Sequence, residues 1–156
     1  GERVGSLSFV CDDANIAQNV LGQLKATVRR IYSSPAANGA LLVSQVLNDT
    51  ALSQLWQSEL EEMRQRILLM RRLLEDKLSQ ALPDMDFSYL TQQQGMFSYT
   101  GLSAEQVDLL KQDYGIYLVR SGRMCTAGLN LNNIDYVAES IATVLKAASS
   151  AESVLA

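Results

Sequence analysis

From Ala40 to Leu82 the chain contains neither Gly nor Pro, and this run limits the possible folds more than any other feature. Nothing within it breaks a helix. Asp49-Thr50 reads as the boundary between two helices. The second carries Trp56, Leu60, Met63, Ile67, Met70, Leu74 and Leu78, one apolar stripe at steps of three and four. About 30 helical residues make a rod of roughly 45 Å, longer than a globule of 156 residues needs. Such a helix is expected to cross between two bodies or to pack against a partner chain. Pro83-Asp84-Met85-Asp86 stops it.

Upstream, Leu7–Cys11 is a short apolar run that reads as a buried strand. Asp12-Asp13 then supplies a helix N-cap, because a short carboxylate accepts the free N–H groups of a first turn. Ile16, Val20, Leu24 and Val28 line the helix that follows. It is expected to end near Arg29-Arg30, before the turn Tyr32-Ser33-Ser34-Pro35. Downstream the period changes. Phe87–Leu90 and Met96–Tyr99 alternate like strands, and Ser103-Ala104-Glu105-Gln106 is a capping box opening a helix through Tyr114, closed by Gly115. Ile116–Val119 and Arg123–Ala127 read as two further strands. A final amphipathic helix spans about Asp135 to Lys146, and an Ala/Ser-rich tail follows. Helices first, then β-β-α-β-β-α, describes a small α+β layer attached by the long helix to part of another domain.

Composition narrows the function. The net charge is −4 without a basic cluster, which argues against nucleic acid as a partner, and no apolar run reaches the ~18 residues of a membrane span. With no histidine, Ser-His-Asp and Cys-His pairs are impossible and the commonest zinc ligand is lost. Cys11 and Cys125, 114 positions apart, form no CxxC and suit a reducing compartment, hence the cytoplasm. They read as buried small hydrophobes, and Trp56 as packing for the long helix.

Three arginines stand in unusual contexts: Arg3 between Gly1 and Gly5, Arg29-Arg30 before a Ser-Ser-Pro turn, and Arg123 directly after Ser121-Gly122. A guanidinium there presents a fixed fork to a carboxylate or phosphate that Lys cannot match. On the residues alone the plain structural roles come first: helix-dipole compensation for Arg29 and Arg30, a surface ion pair for Arg123, and exposure near a chain end for Arg3. Lys25, Lys77, Lys111 and Lys146 lie in helical segments among polar neighbours, without the apolar setting that depresses a lysine pKa.

Gly1-Glu2-Arg3-Val4-Gly5, Tyr32-Ser33-Ser34-Pro35, Gln94-Gly95-Met96-Phe97-Ser98 and Ser121-Gly122-Arg123 together resemble one family. It is the C-terminal part of the class I aspartate/aromatic amino acid aminotransferases, which use pyridoxal 5'-phosphate. The resemblance runs from Gly1 to about Lys146. Leu24–Arg30 and Gly95–Ser103 are most similar to the bacterial aromatic (tyrosine) branch. It implies an α/β parent of fold type I, of which this chain supplies the end of the large domain and an α+β small domain. It also implies a homodimer acting on amino acids and 2-oxo acids.

Residue by residue, Arg3 matches the arginine that holds the cofactor phosphate, and Arg123 the one that clamps the substrate α-carboxylate. Arg29 matches the residue that reaches across the dimer to a distal carboxylate and swings aside for a ring. Phe97 matches an aromatic lining the substrate pocket. Ser34, in the loop beside Arg29, is similar to the aromatic branch. Ile31 and Ala36 depart from the family's usual Asn and Pro.

The family's Schiff-base lysine would lie upstream of Gly1, so the resemblance implies no catalytic residue in this chain, a cut made inside a longer protein, and a fragment inactive alone. The expected division is 1–49 for the end of the cofactor-binding domain, 50–81 for the interdomain helix, 82–148 for the small domain and 149–156 for a tail. Apolar faces are expected to be exposed in the N-terminal third. The rival reading, drawn without the family, is a non-catalytic α+β module that dimerises through the long helix.

Overall fold

The computed structural model describes residues 3–154, with side chains described as far as residue 147. The order is α1 (Ala14–Tyr32), α2 (Asn38–Asn48), α3 (Thr50–Ala81), α4 (Tyr89–Gln92), β1 (Phe97–Tyr99), α5 (Ala104–Tyr114), β2 (Arg123–Cys125), a 3-10 turn (Thr126–Gly128) and α6 (Ile134–Val154). The chain divides into two compact units, Gly1–Ser58 and Glu59–Ala156, so the division falls within α3. Among the described residues, no helix is long and apolar enough to cross a membrane.

Helix ends follow the capping chemistry. The Asp13 carboxylate accepts the N–H groups of Asn15 and Ile16 at 2.7 and 2.9 Å and starts α1. At α5, Ser103 accepts from the Gln106 N–H and Gln106 accepts from the Ser103 N–H, while Gly115 closes the helix at φ 64. Asp49 divides α2 from α3. α3 is continuous over 32 residues, about 48 Å at 1.5 Å per residue.

The second unit contains the apolar core. Met70, Leu74 and Leu78 of α3 are buried with Phe87, Leu90, Val107 and Leu110 and with Ile134, Ala138 and Ile141 of α6. In the first unit only Gly39 is buried among the described residues. A Cβ there would stand 2.1 Å from the Val4 side chain, so α2 and the opening segment touch at a glycine because nothing larger fits. The apolar exposure expected there is present: Leu7, Phe9 and Val10 are 70%, 58% and 104% exposed.

Several expectations are corrected. Leu7–Cys11 forms no strand, because the described residues of the first unit offer no neighbour to complete a ladder. Phe87–Leu90 is not a strand either. Asp86 accepts the Ser88 N–H at 2.8 Å and the chain coils, Leu90 N–H bonding Phe87 C=O at 3.0 Å. Ile116–Val119 alternates in burial but is not laddered, its link to β2 being one backbone bond beyond a tight turn. β2 ends at Cys125, and the chain passes into a 3-10 turn rather than extending to Ala127. α6 runs to Val154, past the expected end at Lys146 and through most of the expected tail. Trp56 is 44% exposed rather than packed. Cys125 is exposed and Cys11 half-buried; in β2 it is Met124 that takes the inward position.

Candidate functional site

β1 and β2 pair antiparallel, Phe97 opposite Cys125, Ser98 opposite Met124 and Tyr99 opposite Arg123. Strand alternation buries Ser98 and Met124 and turns Phe97, Tyr99, Arg123 and Cys125 outward. Phe97 and Arg123 are thus diagonal neighbours on one open face, a separation that long side chains bridge. The Arg123 guanidinium carbon lies 4.9 Å from the Phe97 ring centroid, a cation–π distance.

Two local features place Arg123. The loop Arg120-Ser121-Gly122 closes through the Gly122 N–H to Val119 C=O at 2.8 Å, and Val119 N–H then bonds Arg123 C=O at 3.1 Å. Gly122 sits at φ 82, and a Cβ on it would stand 2.9 Å from the Leu102 carbonyl oxygen. The two nearby arginines differ in their partners. Arg120 pairs with Asp108 at 3.0 Å, and the carboxylate raises its pKa above the ordinary value. Among the described residues Arg123 carries no ion pair, so its fork is open to an external anion.

One residue that sequence reasoning missed holds this face together. Arg71 of α3 is 1% exposed. Its Nη1 donates to Leu90 C=O at 2.8 Å and to Ser98 Oγ at 2.9 Å, and its Nη2 to the carbonyls of Gly95 and Phe97 at 2.9 and 2.8 Å. Ser98 Oγ in turn donates to Gln93 Oε1, which also accepts the Tyr99 N–H at 2.7 Å. Burial draws the Arg71 pKa down. The available signal was its place four residues after Ile67 and three before Leu74, on the flank of the stripe; nothing local separates it from Arg72, which is exposed.

Arg29, Ser34 and Arg3 belong to the first unit, and all three are exposed. Arg29 Nη1 donates to Ser33 Oγ at 3.1 Å, and Ser34 N–H bonds Tyr32 C=O at 2.8 Å across Ser33. Arg29 and Ser33 line an open hollow of about 490 Å³ with Leu7, Leu24, Val28 and Pro35. Arg3 adjoins Val4, the residue seated against Gly39. The structure therefore brings Phe97 to Arg123 in one unit and sets Arg29 beside the Ser33-Ser34 turn in the other.

Over residues 1–141 the chain matches the family of class I and II aminotransferases. It belongs to that family. Among curated aminotransferases it is 59% identical to the aromatic-amino-acid aminotransferase of Escherichia coli, over 93% of this chain and 36% of that protein. It is 48% identical to the aspartate aminotransferase of Haemophilus influenzae, over 92% and 36%. Among solved structures, the aromatic amino acid aminotransferase of Psychrobacter sp. B6, crystallised with aspartic acid, superposes with a TM-score of 0.82 at 49% identity, covering 88% of this chain and 34% of that one. The aromatic-amino-acid aminotransferase of Burkholderia pseudomallei, covalently bound to pyridoxal phosphate, gives 0.79 at 46%, over 87% and 34%. The architecture is that of the fold type I transferases, in the aromatic/aspartate branch. The chain spans about a third of the length of these relatives.

Proposed function

We propose that the protein to which this chain contributes moves an amino group between aromatic or dicarboxylic amino acids and 2-oxoglutarate, as a cytoplasmic homodimer. Residues 1–49 then end its cofactor domain, 50–81 bridge, 82–148 form its small domain and 149–156 its tail. The carrying observation is the Arg123 guanidinium, without an ion pair among the described residues and 4.9 Å from the Phe97 ring. In this reading Arg123 binds the substrate α-carboxylate through two parallel N–H···O bonds, and the half-exposed Phe97 ring covers the substrate's apolar part. Arg29, beside the turn that carries Ser34, binds a distal carboxylate from across the dimer.

Pyridoxal 5'-phosphate, when bound, supplies the electron sink for the transfer. Of the residues present, Arg3 fits its phosphate: an exposed guanidinium suits a dianion, and Val4 against Gly39 anchors its backbone.

The 156-residue chain alone is inferred not to turn over. Transamination requires a lysine that shuttles a proton. Lys25, Lys77 and Lys111 are helical, Lys77 being paired with Asp135 and the other two exposed, and Lys146 also lies in a helix.

The test is Arg123→Lys in the complete enzyme carrying this sequence, assembled where necessary by replacing the matching segment of the Escherichia coli relative. Loss of the bidentate fork is expected to lower kcat/KM for every amino acid substrate about 10²-fold. A loss under about threefold would remove the carboxylate role. Were the complete protein to show no transamination at all, the exposed apolar residues of the first unit would favour a non-catalytic dimerisation module.

A further inference from the structure

Ser33 has the only positive φ outside glycine among the described residues, φ 69 with ψ −67. With the Ser34 N–H bonded to Tyr32 C=O at 2.8 Å, these angles make a three-residue γ-turn of the rare, strained hand. A serine adopts this conformation only where its surroundings require it, and such strain gathers at functional sites. Here the turn does one visible thing. Ser33 lies just beyond the last residue of α1, and the reversal of the backbone brings its Oγ back to accept a hydrogen bond from Arg29 Nη1 at 3.1 Å.

We propose that Ser33 is a positioning residue whose hydroxyl latches Arg29 against its own loop and so sets the balance between aromatic and dicarboxylic substrates. The inference rests on the distal-carboxylate role of Arg29 proposed above. The hydroxyl is a neutral acceptor, and a substrate carboxylate binds a guanidinium about twice as strongly. A dicarboxylic substrate therefore draws Arg29 off the latch, whereas an aromatic substrate leaves it held. The latch is a tax on dicarboxylate binding, of the size of one net hydrogen bond. The hollow shared by Arg29 and Ser33 leaves the guanidinium room to move.

The experiment uses the complete enzyme and three variants, Ser33→Ala, Ser33→Gly and Arg29→Leu, together with the Ser33→Ala/Arg29→Leu double variant. Two quantities are read: the kcat/KM ratio of aspartate to phenylalanine, and the dissociation constant of maleate. Ser33→Ala is expected to raise the ratio about three- to tenfold and to tighten maleate by a similar factor. Ser33→Gly should give the same shift while raising Tm, because glycine relieves the strain; it also keeps the test open if the Ala variant folds poorly. In the Arg29→Leu background the Ser33 effect should vanish.

If Arg29→Leu weakens maleate and lowers the ratio but Ser33→Ala changes neither, the latch is refuted and the role of Arg29 stands. An Arg29→Leu variant with unchanged ratio and maleate affinity overturns that role, and the latch with it. A Ser33 effect that persists without Arg29 places the cause elsewhere in the loop and also overturns the proposal.

Discussion

Replacing Arg71 with Met removes four hydrogen bonds of 2.8–2.9 Å while nearly keeping the length of the side chain. Two effects oppose each other. Removing a buried cation recovers the desolvation already visible as its lowered pKa, and replacing a buried ionic cluster by apolar groups can be neutral when both partners go. Here the acceptors stay. The Leu90 carbonyl is in buried surroundings and those of Gly95 and Phe97 are partly buried, and an orphaned buried acceptor costs about 1–3 kcal/mol. Ser98 alone keeps an alternative, its bond to Gln93. The loss therefore wins, at about 3–5 kcal/mol, a large share of the ~5–15 kcal/mol typical of a domain.

Urea unfolding followed by far-UV circular dichroism measures it, with Arg72→Met as the control. The control residue is exposed and should change stability by no more than about 0.5 kcal/mol. Hydrogen exchange should accelerate first at Ser98 and Tyr99, where the network holds β1. A loss under about 1 kcal/mol, or equal losses in the two variants, would refute the reasoning that those carbonyls depend on Arg71.

Gly122→Ala forces a Cβ to 2.9 Å from the Leu102 carbonyl at φ 82; about 1–3 kcal/mol of stability should be lost, measurable by the shift in urea midpoint. Ser103→Ala removes half of the capping box and should cost about 1 kcal/mol, with faster amide exchange in the first turn of α5. Hydrogen bonds from Arg64, then from Gln65, pull the exposed Glu61 carboxyl from 4.5 down to about 2. Because the folded value is depressed, the stabilisation is present above about pH 4.5 and fades as pH falls through 2, and a carboxyl NMR titration midpoint near 4.5 would contradict it.

What the sequence determined by itself is the local chemistry. The Asp13 cap, the Ser103–Gln106 box, the Gly115 stop and the Asp49 boundary all stand where short-range rules put them, because each depends on donors and acceptors within five residues. The family was legible for a similar reason: four motifs carry its identity in linear order. The tertiary structure decided the rest. Leu7–Cys11 has strand composition and no partner among the described residues of its unit, and a strand is a property of two segments. Cys125 faces outward because register and alternation gave the inward place to Met124. Arg71 was invisible in Met70-Arg71-Arg72 because the carbonyls it serves lie 19 to 26 positions along the chain. The approach of Arg123 to Phe97 was hidden likewise: it exists only once two strands of three residues each pair in one register, and no local rule specifies a pairing across so long a loop.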